Sequence, residues 1–184
     1  MPTSVTLAPK PTAPPRAAAL PTELPLTPEQ NPVGDIPDSQ AFVQYRSPTG
    51  GYALDVPEGW ARTATGNNVS FVDKLDGVKL EITQTAIAPT AATAGAVSAA
   101  LIASGRAVQI GRVQDVQLPG GPAVLIEYTA NSDPNPVTGK QVRLELASYL
   151  FSQKGKLATL TLWAPLGADN VDQWQRMAHS FRWL

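Results

Sequence analysis

From Phe42 onward the apolar positions of this chain fall mostly at every second residue, the spacing of strands with one buried face. Two short runs, Phe42 to Arg46 and Tyr52 to Val56, flank Ser47-Pro48-Thr49-Gly50-Gly51, a turn-forming sequence that predicts a hairpin. The second run stops at Pro57-Glu58-Gly59, where the chain must turn and drop Trp60 onto a neighbouring surface. Thr63 to Asn68 reads as a cluster of turn formers and Val69 to Lys74 as a strand. Asp76-Gly77 predicts a tight turn into Val78 to Ala86, where Val78, Leu80 and Ile82 alternate with Lys79, Glu81 and Thr83.

An Ala-rich stretch from Thr90 to Ser104 then reads as a helix, with Val97 and Leu101 on one side, Thr90 as N-cap and Gly105 at its end. Strand spacing returns over Val108 to Gln117, and Pro119-Gly120-Gly121-Pro122 forces a turn into Ala123 to Ala130. Asn131 to Gly139 is a run of turn formers and predicts an exposed loop. Gln141 to Ser152 and Lys156 to Ala164 read as strands joined at Lys154-Gly155. Asp169 to Ser180 is the second helix, with Val171, Trp174, Met177 and Ala178 along one side and Asp169 as its cap, and SFRWL closes the chain as a short strand. Helices this far apart in an otherwise stranded chain predict α+β, an antiparallel meandering sheet with both faces covered, and no dinucleotide crevice.

The first 38 residues differ in kind. Ten of the 18 prolines fall there, Ala, Thr and Leu fill most gaps, and no aromatic residue precedes Phe42. Such a stretch predicts an extended spacer, residues 1–38, ahead of a domain spanning residues 39–184. Met1 is not followed by an apolar signal segment. A Pro/Thr/Ala spacer before a compact domain suggests an exported module whose signal or lipid anchor precedes Met1. The PTAPP stretch around Pro14 has the form of an SH3-type ligand, a pattern that arises easily by chance in proline-rich sequence. A net charge of -1 gives no sequence-wide electrostatic case for nucleic acid or anionic membrane. With no cysteine, disulfides, thiolate nucleophiles and zinc–thiolate or iron–sulfur sites are excluded together.

Candidate chemistry is sparse. The single histidine, His179, lies at a helix end, where it favours the dipole, and neighbouring Ser180 is in no nucleophile-elbow sequence. Glu127 and Glu145 could form an acid–base pair, but as strand residues they more often sit on a solvated face or pair with Arg143 and Lys79. Trp60, Trp163, Trp174 and Trp183 could line a ligand pocket, though core packing explains them better. Asp133-Pro134-Asn135 begins a calcium-loop spacing that Val137 ends, so turn chemistry is the better account. No cofactor, metal site or catalytic centre is expected.

Several segments recur together in a known family: the Tyr52–Trp60 element with its PEGW corner, the VSFVD strand at Val69, PGGPAVLIEY, GKLATLTLWAP, and the closing helix from Trp174 to Phe181. In that order they resemble the PsbP family of photosystem extrinsic subunits and their bacterial relatives, whose fold is shared with a Ran-binding nuclear transport factor, Mog. The resemblance covers about Phe42 to Leu184. It implies an α/β/α sandwich around a single antiparallel sheet and a non-enzymatic, extracytoplasmic, membrane-peripheral role in binding or assembling a protein partner. A photosystem role does not carry over, because the arm here reads as a tether and one histidine cannot supply the metal ligands proposed for photosynthetic members.

The expectation is therefore a monomeric, tethered, partner-binding module. Asp133, Asn135 and Lys140 on the exposed loop are the residues expected to contact the partner. The alternatives are a small-ligand or ion carrier with a pocket between sheet and helix and, last, a hydrolase with an unrecognised site.

Overall fold

A computed structural model describes residues 23–184. The strands are β1 (Phe42–Ser47), β2 (Tyr52–Pro57), β3 (Ala61–Thr65), β4 (Asn68–Asp73), β5 (Asp76–Gln84), β6 (Arg106–Leu118), β7 (Gly121–Asn131), β8 (Arg143–Gln153), β9 (Lys156–Pro165) and β10 (Arg182–Trp183). The helices are α1 (Gly95–Ser104) and α2 (Val171–Ser180). The α+β class stands, but the single sheet does not. A seven-stranded antiparallel sheet runs β3-β4-β5-β9-β8-β7-β6, and a separate three-stranded sheet runs β1-β2-β10. The first hairpin pairs with the C-terminal strand, so it cannot extend the main sheet; it lies over it.

Alternation along the central strands sorts side chains onto two faces. On the inner face Phe151, Ala158, Leu160 and Leu162 pack with Tyr52, Leu54 and Val56 of β2 and with Met177, Ala178 and Phe181 from the α2 end. The Phe181 ring stacks on Phe151 at 4.3 Å between centroids. On the outer face Val124, Ile126, Tyr128 and Leu150 pack against Ala94, which precedes α1, and Val97 and Leu101 of α1. After β5 the chain crosses this outer face through α1 to the far edge, then returns through β7 and β8 until β9 pairs with β5.

Several local expectations shift. Ala61–Thr65 is a strand, although every residue of it is exposed and no alternation marks it. The β4–β5 turn is Lys74-Leu75, closed by Asp73 opposite Asp76, with Lys74 at φ 52°. Gly77 instead answers a packing need, because a Cβ there would come within 1.9 Å of the Trp163 ring. The first helix begins at Gly95; Thr90 forms a preceding turn, its carbonyl accepting from Thr93 N–H. Asn170, not Asp169, occupies the N-cap position of α2. Trp60 is only half-buried at the edge of the core. Lys154-Gly155 does turn β8 into β9, both residues at positive φ.

The largest correction concerns the spacer. Residues 1–22 lie outside the described residues, but residues 23–38 are laid along the domain. Asn131 accepts the Leu26 N–H through Oδ1 and donates from Nδ2 to Glu23 and to the Leu24 carbonyl. Glu23 also pairs with Arg106 at 2.9 Å, and Glu29 with Lys140 at 2.6 Å. Further along, Ile36 N–H donates to Asn170 Oδ1 at 2.6 Å, and Asn170 Nδ2 donates to the Gly34 carbonyl. Ile36 itself is 5% exposed within the inner core. Proline excludes helix and sheet interior, yet it leaves an extended strap free to bond through side chains of the domain. This strap passes over Asp76, whose carboxyl is pushed up to about 7 by burial, with Asp73 and Asp35 adding to the shift.

Because Ile36 is a core side chain carried by the strap, Ile36→Ala should destabilise the domain by about 2–4 kcal/mol in denaturant melts. No change would mean that residues 23–38 contribute nothing to the core.

Candidate functional site

The inner face is only partly covered. The three-stranded sheet and α2 lie over β4, β5, β9 and part of β8, and beside them the β6–β8 end of the same face stays open. A groove of about 760 Å³ results, floored by Leu125, Glu127, Ala147, Glu145 and Tyr149 and walled by Val171, Trp174 and Gln175 of α2. Its outer wall is β6, the sheet's edge strand, with register shifts between Arg106 and Gln109 and between Ile110 and Val113. Such irregularities bend an edge strand and re-aim its side chains.

Arg112 donates from Nε and a terminal nitrogen to the two Glu127 carboxylate oxygens at 2.6 and 3.0 Å, a bidentate pair. Glu145, one row along on β8, has no ion-pair partner among the described residues. Burial pushes its carboxyl above the usual range, with the Gly167 backbone N–H pulling partly back. Burial also raises the Tyr149 hydroxyl, and the nearby Glu127 charge adds to this. The groove therefore combines an aromatic and aliphatic floor, one neutralised ion pair and one uncompensated carboxylate.

Arg143 frames the end of the groove. It is 3% exposed and donates to the Ala107 carbonyl, Asn131, Gln109 and Thr129, with burial lowering its pKa. Gln109 and Thr129 line the groove, and Asn131 holds the strap, so one guanidinium joins site, strap and edge strand. The expected pairing of Arg143 with Glu127 or Glu145 is not formed.

The loop after β7 leaves the sheet at this same end. Asn135 Oδ1 accepts from the Val137 and Thr138 amides, a side chain mimicking a turn, and Lys140 is held by Glu29. Asp133 is exposed beside them. Elsewhere, exposed His179 faces the Gln175 carbonyl through Nδ1, and Ser180 Oγ donates to the Met177 carbonyl while accepting Asp55 N–H. Ser180 thereby ties α2 to β2. Among the described residues no group of three His, Asp or Glu is placed to hold a metal ion, and no helix is long and apolar enough to cross a membrane.

Of the residues singled out in the sequence, Glu127, Glu145 and Trp174 meet in the groove. Arg112, Tyr149 and Gln175 escaped notice, since nothing in their local spacing marks strands distant in the chain as neighbours.

The class this defines is an α+β fold with a small antiparallel sheet and a helix laid over a larger sheet. No protein-family model matches the chain. No curated protein matches its sequence. Among solved structures it is similar to the cyanobacterial PsbP of Synechocystis sp. PCC 6803, at 18% identity and TM-score 0.57, covering 83% of this chain and 99% of that one. It is also similar to the Saccharomyces cerevisiae Ran-binding protein Mog1p, at 11% identity and TM-score 0.53, covering 78% and 96% of the two chains. The chain has the PsbP-like, Mog1-like fold.

Arg143→Ala should cost about 3 kcal/mol or more, because it strands several buried acceptors. Arg112→Ala should change stability by less than about 1 kcal/mol, because its pair is exposed. Equal costs in denaturant melts would contradict this division between frame and rim.

Proposed function

We propose that the protein is a non-enzymatic, partner-binding module, held at the outer side of a membrane through its N-terminal region, that binds or helps assemble a protein there. The observation that carries this reading is the uncovered end of the inner sheet face. It offers aromatic floor and wall residues, Tyr149 and Trp174, with the polar rim of Arg112, Glu127 and Gln175 that protein interfaces use. The fold likeness supports the same direction, since Mog1p is named a Ran-binding protein. Asp133, Asn135 and Lys140 extend the surface, as their loop leaves the sheet at the groove's end.

The groove's volume lies in the range of small-ligand sites, which favours the carrier as a second reading. Against it, the groove opens along the sheet edge, whereas ligand sites enclose most of their ligand's surface.

Pull-down from a native membrane extract tests the proposal with three full-length proteins: wild type, Arg112→Glu, and a chain with residues 133–140 replaced by an Asn-Gly turn, which leaves Asn131 and its bonds to the strap and Arg143 in place. Recovery of one specific protein should fall about tenfold or more with Arg112→Glu, because the reversed charge leaves Glu127 unpaired and adds a second carboxylate to the surface the partner must cover, and fall less with the loop replacement. Equal recovery by all three overturns the assignment of this surface.

A further inference from the structure

One buried acid has no cation to answer it. Asp76 opens β5 and is 6% exposed, beneath the part of the strap that runs from Gly34 to Ile36. A Cβ on Gly34 would stand 3.2 Å from Asp76 Oδ1, so the strap backbone closes over the carboxyl. Its side-chain partner is Asn170 Nδ2 at 3.4 Å, and the same nitrogen donates to the Gly34 carbonyl at 2.8 Å. The charged groups around it come from every neighbouring element. Asp73 pairs with it across the β4–β5 turn, Asp35 lies on the strap, and exposed Asp169 precedes Asn170 at the head of α2. Lys74, in the turn, forms no ion pair with it, and β9 brings uncharged Pro165 against Gly34.

We propose that Asp76 is a proton-operated catch for the strap, holding residues 34–36 down when it is protonated and releasing them when it ionises. A carboxylate in this position, without a cation and beside other acids, must regain water. What yields to let water in is decided by how each side is held. Asp76 belongs to a hairpin whose β5 strand is paired with both β4 and β9. The strap here is held by the Asn170 side chain, bonded to Gly34 and Ile36, and by Asp35 accepting the Asp169 N–H. Lifting the strap breaks three bonds and leaves the sheet intact.

Burial sets the sign. Covered, the carboxyl titrates at about 7; uncovered, it returns to the ordinary carboxylate range near about 4. Below the lower value both forms keep the proton and the catch is at full strength. Between the two values the open form gives up its proton first, so opening becomes about tenfold easier per pH unit. Above the higher value the change is complete. The strap is firm in acid and loosened from neutral pH upward.

Amide hydrogen exchange of the full-length chain tests this, each rate being divided by that of an unstructured amide at the same pH. The Ile36 and Asp169 amides should open at least about tenfold more often at pH 7 than at pH 5 and then level off. Leu26, held by Asn131 at the other end of the strap, should change by less than about threefold. Asp76→Asn should abolish the rise. Asp73→Asn should keep it but move the levelling to lower pH, a check that stands even if Asp76→Asn does not fold. A flat Ile36 profile in the wild type overturns the proposal. So does an equal rise at Leu26, a rise that survives Asp76→Asn, or a levelling that Asp73→Asn leaves in place. No partner takes part in this measurement, so its result and that of the pull-down are independent.

Discussion

A second layer narrower than the sheet it covers is the constraint on which this molecule depends. Seven strands expose more apolar surface than the three-stranded sheet and one helix can bury. Phe181 stacked on Phe151 fixes where that cover sits, and Gly120 lets the Phe181 backbone approach to a distance at which any Cβ would collide. With the cover anchored there, the β6–β8 end of the inner face must meet solvent, the strap or a ligand. The groove follows from the arithmetic of the layers.

The strap and Arg143 adapt this uncovered end. Asn170 opens α2 while spending its side chain on Gly34 and Ile36, and Asn131 ends β7 while holding Glu23, Leu24 and Leu26. Both asparagines stand where an element terminates, with spare donors and acceptors that the ladder or helix does not use. A strap of extended backbone needs such partners, since it forms no regular structure of its own.

Much of the fold was legible because period-two runs with turn residues between them leave few alternatives. Val78, Leu80 and Ile82 faced inward as their spacing required, and the Lys154-Gly155 turn fell in place. What escaped were features whose cause is tertiary. Ala61–Thr65 pairs as a strand through β4 although its own residues are all exposed. By sequence Gly77 reads as a turn glycine, but its reason is Trp163, far along the chain. The strap reads as a spacer because composition reports what a segment cannot form, not what will accept its hydrogen bonds. In the groove, Glu127 and Glu145 were visible as chemistry, but their separation into an Arg112-paired and an unpaired carboxylate depends on the bulges of β6.

The central claim is that a protein partner docks on the uncovered end of the inner face. A photoreactive benzoyl-phenylalanine at Gln175, on the groove wall, and at Lys79, on the opposite face, tests it most directly in the native membrane. A cross-linked product of one defined mass from Gln175 and none from Lys79 is the result predicted. A specific product from Lys79 with none from Gln175 would contradict the claim.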